Sequence, residues 1–96
     1  GLDDLKAAKA AVEQGKADDA IRLYSQALSG GDLTAADRLD ALKGRASEYT
    51  AKSLIADAFE RLDQARQARS LALADFTAAQ VEKLRADVVG RIKKFG

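Results

Sequence analysis

Apolar residues return along this chain at intervals of three and four, the spacing that gathers them on one side of a helix. Leu2, Leu5, Ala8 and Val12 mark a first helix over about residues 3–14, closed by Gly15. Ala17, Ala20, Ile21, Tyr24, Ala27 and Leu28 then follow the amphipathic template almost without error, and the second helix runs to about Ser29. Asp18 and Asp19 sit in its first turn, where carboxylates favour the positive end of the helix dipole. Gly30-Gly31 is the strongest break in the chain, and Thr34 with Asp37 three residues on forms a variant of the capping box. A third helix carries Leu39, Leu42, Ala46 and Tyr49 to about Ala51. Ser53 reads as the cap of a fourth, which buries Ile55, Ala58, Phe59, Leu62 and Ala65 and ends near Ala72. Asp75 and Thr77 compete to cap a fifth, with the stripe Val81, Leu84, Val88, Ile92 and Phe95. The pattern predicts an all-α chain of five helices, antiparallel to their neighbours because the connections are short.

Self-similarity refines this expectation. Adding 38 to Ala8, Ala11, Gly15, Ala20, Tyr24 and Ala27 gives Ala46, Tyr49, Ser53, Ala58, Leu62 and Ala65. Small matches small at four of these pairs, and a large apolar residue lies between the last two alanines in both sets. Small side chains at such places let two helix backbones approach closely while a larger neighbour fills the groove.

These residues resemble the tetratricopeptide repeat, a helix–turn–helix unit of 34 residues. Ala8, Gly15, Ala20, Tyr24 and Ala27 fit its pattern in a first unit, and Leu42, Ala46, Tyr49, Ala58, Leu62 and Ala65 in a second. Departures are plain: Asp4, Ala7 and Ala11 stand at large positions, Arg45 at the leucine position, and Asp32 and Ser70 at the proline positions. "KGRASEY" followed by "IADAFERLDQA" is similar to the degenerate form common in bacterial repeats. The resemblance implies one domain: a short right-handed solenoid of stacked antiparallel hairpins. Its repeats would cover about residues 2–32 and 35–72, with a capping helix over about 77–95.

By the same resemblance the first helix of each hairpin lines a concave face that binds a peptide or protein. Leu5, Lys9, Val12 and Glu13, then Lys43, Ser47 and Thr50, are its candidate partner-binding residues. The family's clamp for a peptide carboxylate does not carry over, since Leu5, Lys9 and Gly44 occupy clamp positions and the chain holds no asparagine. A competing expectation is self-assembly as a homodimer through an exposed apolar face, at Leu2 and Leu5 or at Val81, Val88, Val89 and Ile92.

Composition narrows the chemistry. Sixteen basic against fifteen acidic residues leave a net charge of +1, so bulk attraction selects neither nucleic acid nor an anionic surface. Arg61, Arg66, Arg69, Arg85, Arg91, Lys93 and Lys94 are interleaved with Glu60, Asp63, Glu82 and Asp87, the pattern of a solvated helix face. The absence of histidine and cysteine removes the commonest general base and the thiol nucleophile. The pairs Asp3/Asp4, Asp18/Asp19 and Asp37/Asp40 lie near helix starts, where capping accounts for them. No catalytic, cofactor-binding or metal-binding residue is expected, and no run is long and apolar enough for a membrane span. The sequence leaves the compartment open.

Overall fold

The structure, a computed structural model, describes residues 1–95, with side chains through residue 91. The described residues are all-helical, with four helices among them: α1 (Leu2–Glu13), α2 (Ala17–Ser29), α3 (Ala35–Ala58) and α4 (Leu62–Phe95). α1 and α2 form one antiparallel hairpin, and α3 and α4 a second, much longer one. α3 is the shared element. The first hairpin packs on one side of it and α4 on another, and among the described residues no contact joins α4 to α1 or α2 at backbone level.

Gly15 makes the first turn with φ of 73°, a left-handed conformation that favours a residue without a side chain. Beyond Gly31, also left-handed, Thr34 caps α3 by accepting a hydrogen bond from the Asp37 N–H at 3.1 Å. The first core collects Leu5, Ala8, Ala11, Ala20, Tyr24, Ala27 and Ala41, with Leu23, Leu28 and Leu33 against its edge. Tyr24 is its largest member, and Gly44 of α3 is the place left for its ring. A β-carbon at Gly44 would stand 2.9 Å from Tyr24 Cε1 and 2.5 Å from its hydroxyl oxygen. The small residues of α2 thus bring it close to α1 and α3, while Tyr24 fills the space beside them.

Four helices replace the five expected. α3 does not stop near Ala51 but continues through Ser53 to Ala58, and α4 runs unbroken through Ala72, Asp75 and Thr77. The two residues that resemble caps are interior polar groups instead. The Ser53 hydroxyl, 2% exposed, accepts from Arg69 Nη1 at 3.2 Å. Asp75, also buried, accepts both Nε and Nη2 of Arg45 at 2.7 Å. With its side chain so engaged, neither residue competes for backbone N–H groups, and the alanine-rich sequence carries the helix onward.

The reversal lies at Phe59–Arg61. Arg61 N–H bonds back to the Ala56 carbonyl at 2.8 Å and Glu60 N–H to that of Asp57 at 3.0 Å, a helix-closing pattern that places Glu60 at φ of 57°. Glycine is the usual residue there, and its absence hid the turn.

Across the second hairpin, Arg38 faces Glu82, Arg45 faces Asp75 and Ser53 faces Arg69. These pairings fix an antiparallel register. The row that α4 buries is Ala65, Ala68, Ala72, Asp75 and Ala79, with half-buried Glu82 next, at alternating intervals of three and four. It meets Leu42, Ala46, Ser53 and Ala56 on α3, again mostly small. Methyl-sized side chains allow the two backbones to close on each other. The large residues of the stripe expected for a fifth helix lie on the outer side of α4: Val81, Leu84 and Val88 are 50%, 58% and 54% exposed. The side chains of Ile92 and Phe95 lie outside the described residues.

The 38-residue correspondence therefore does not produce corresponding packing. Gly15 turns a hairpin, whereas Ser53 is buried in mid-helix; Ala20 and Tyr24 are core, whereas Ala58 and Leu62 are exposed. Ala27, Ala46 and Ala65 are fully buried as expected. The longest dimension, 54 Å, is set by α4, whose 34 residues rise about 51 Å. Since Ala35 of α3 lies beside Glu82 and Arg85, the last ten or so residues of α4 extend past α3.

Candidate functional site

The α1–α2 turn and the α3–α4 turn lie at the same end of the molecule, and a groove of about 470 Å³ opens between them. Its floor is Ile55, Ala56 and Phe59; Lys16, Asp18 and Asp19 line one wall, with Lys52, Arg61 and Gln64 around the remainder. A second groove of about 460 Å³ shares Lys52, Ala56 and Gln64 with the first and continues past Tyr49, Gln67 and Ala68 to Leu71. Together they form one channel between α2 and α4 over the C-terminal half of α3.

Local structure accounts for each lining group. Tyr49, Lys52, Ala56 and Phe59 recur at three- and four-residue intervals and so share a face of α3. Glu60's left-handed backbone turns the chain immediately after Phe59 and leaves that ring 69% exposed. The Arg61 guanidinium lies over the ring, 5.8 Å from its centre. Lys52 bridges to Asp18 at 2.7 Å and so ties α3 to the start of α2, while Asp19 approaches Arg22 at 3.8 Å. Among the described ion pairs, both groove carboxylates have cationic neighbours, and Lys16 and Arg61 add positive charge to the lips.

The residues expected to bind a partner are placed elsewhere. Leu5, 2% exposed, belongs to the core and offers no surface, because α1 turns it toward Ala20 and Tyr24 rather than outward. Lys9 reaches Asp40 of α3 at 2.5 Å, and this hydrogen bond, ahead of the attraction between the charges, raises its ammonium above its ordinary value of 10.5. Val12, Glu13, Lys43, Ser47 and Thr50 are exposed, and Thr50 donates its hydroxyl to the Ala46 carbonyl at 3.0 Å. Lys43, Ser47 and Thr50 share a face of α3 roughly opposite the one that floors the groove.

Arg45 was legible only as a departure from the repeat pattern, yet it joins three helices. It donates two hydrogen bonds to Asp75 of α4 and a third to Ser25 of α2, whose hydroxyl in turn donates to the Ile21 carbonyl. The bidentate bond to Asp75 holds the guanidinium above its ordinary value, outweighing the opposing effect of burial. The signal in the sequence is an aspartate within an alanine row of α4.

Chemically, the channel presents apolar surface, amides and cations. No group of three or more histidine, cysteine, aspartate or glutamate side chains suited to a metal ion occurs among the described residues. No described helix is long and apolar enough to cross a membrane. The comparisons add no relative: no family model matches the chain, and no curated protein or solved structure matches it. Fold and site define an elongated all-helical protein of two unequal hairpins with an open, partly apolar channel across them.

Proposed function

We propose that this chain is a non-catalytic protein-interaction module that holds a segment of a partner protein in the channel between α2 and α4. The observation that carries this reading is the channel's exposed apolar floor. Ile55 and Phe59 line the groove and are 58% and 69% exposed, so that a partner's apolar side chains would remove both from water. From Tyr49 to Phe59 the floor extends about 15 Å, enough for three turns of a helix or about five extended residues. The first hairpin also supports it: the residues most similar to a tetratricopeptide unit, Ala8, Ala20, Tyr24 and Ala27, are all buried in one core.

A displayed library of random peptides selected on the folded chain tests the proposal. Selected peptides should lose at least tenfold in affinity on Phe59→Asp or Ile55→Asp, with helical circular dichroism unchanged, and keep it on Lys43→Glu. Binding that ignores both groove variants and falls with Lys43→Glu would move the site to the opposite face of α3. Failure to select any binder would remove the proposal.

A further inference from the structure

Among the described residues α4 has two apolar faces and packs on α3 alone. Its alanine row packs on α3, whereas Leu73, Val81, Leu84 and Val88 lie within about 50° of the direction opposite that row. All four are at least half exposed, Leu73 most of all at 67%. Thr77, Gln80, Asp87 and Arg91 interrupt or border the stripe.

We propose that a second copy of the chain covers this stripe, α4 against α4 and antiparallel, with the twofold axis at Leu84. In that register Leu84 meets Leu84, Val81 meets Val88, Thr77 meets Arg91 and Gln80 meets Asp87. The Gln80 amide donates to the Asp87 carboxylate, and the Thr77 hydroxyl accepts from the Arg91 guanidinium. A parallel pair would instead set Arg91 against Arg91 in the seam and place Gln80 and Asp87 of the two copies on opposite flanks, and the repulsion and lost hydrogen bond disfavour it. Arg85, on the rim, approaches its own copy, but its guanidinium lies 3.9 Å from Glu82 on the side away from the axis. The stripe runs about 27 Å from Leu73 to Arg91 and removes on the order of 500 Å² per copy from water. The total stands at the lower edge of specific interfaces, about 1,000 Å², so the dimer is reversible and depends on concentration. This surface is separate from the channel, and either can be lost without the other.

The chain contains no cysteine, which makes cross-linking unambiguous. Sedimentation velocity over about a hundredfold range of concentration should show a monomer–dimer equilibrium. Leu84→Asp should weaken it at least tenfold while circular dichroism shows the helices retained, and Phe59→Asp should leave it unchanged. Under mild oxidation, Leu84→Cys should form a disulfide with its own copy. Val81→Cys alone should not, but should cross-link when mixed with Val88→Cys. A monomer at every concentration, a dimer indifferent to Leu84→Asp, or a dimer lost with Phe59→Asp overturns the proposal. Equal self-cross-linking at all three positions would show a parallel pair and overturn it too.

Discussion

Gly44→Ala should destabilise the chain, although alanine is the better helix former. In an exposed helix interior the change would gain about 1 kcal/mol. Here the new β-carbon would lie 2.9 Å from Tyr24 Cε1, closer than such carbons are found, and nearer still to the hydroxyl oxygen. Tyr24 is 4% exposed and shares its core with Leu5, Ala20, Ala27 and Ala41, so the ring has little room to step aside. Overpacking of this kind costs roughly 1–3 kcal/mol, and a rigid ring against a rigid helix belongs near the upper end. The net expectation is a loss of about 2 kcal/mol, or about 10 °C in thermal midpoint for a domain of this size. A double-mutant cycle in urea, followed by circular dichroism, isolates the cause. In a Tyr24→Leu background the obstructing ring atoms are gone, and Gly44→Ala should become stabilising by about 1 kcal/mol. The sign change is the decisive result. If Gly44→Ala shifts the urea midpoint equally in both backgrounds, or raises it in the parent, the packing argument is refuted.

Asp75→Ala should cost about 3 kcal/mol by leaving the Arg45 guanidinium without its partner, whereas Arg45→Met with Asp75→Leu should recover most of that loss, read by the same urea titration. Glu60→Gly should stabilise by about 1 kcal/mol, since the turn holds Glu60 at φ of 57°, and an unchanged urea midpoint would argue against strain there. Burial, and secondarily the charge of Asp40, raises the Tyr24 phenol above 10.0. The unfolded chain therefore loses that proton at lower pH than the folded one. Stability should be full below about pH 10 and fall as pH rises toward the folded value, more shallowly in Tyr24→Phe.

The all-helical class, the first hairpin, its glycine turn and the Thr34 cap were legible because each has a local cause: periodicity, a left-handed glycine, a hydroxyl before an apolar run. The second hairpin was hidden for opposite reasons. Ser53 and Asp75 have the chemistry of caps, and only partners 16 and 30 residues away, Arg69 and Arg45, show that they are interior groups. The true turn offers "FERL", with no glycine, proline or asparagine to announce it. Periodicity also divides α4 between a fourth and a fifth helix and follows the large residues of each, so of the buried alanine row only Ala65 enters the expected core. The channel inherits that difficulty, since Phe59 and Leu62 were expected inside. A long helix pair with a small-residue seam inverts the usual ranking, because its attraction comes from close backbone approach.

That inversion bears on how the chain responds to partners. Among the described large apolar side chains, Leu5, Leu42 and Tyr24 are buried, whereas at least thirteen others are exposed, including those of the channel floor and the outer stripe. Each exposed valine, leucine or phenylalanine would contribute roughly 1.5–3 kcal/mol if fully buried, less the cost of ordering the groups that cover it. Much of the hydrophobic stabilisation available to this sequence therefore remains unrealised in one isolated copy. Covering either surface must stabilise the folded state by mass action. The two surfaces should do so independently, because the residues that line the channel include none of the outer stripe. The thermal midpoint should consequently rise with protein concentration in the parent and in Phe59→Asp, but not in Leu84→Asp. A midpoint independent of concentration in all three would mean that the outer stripe stays in water.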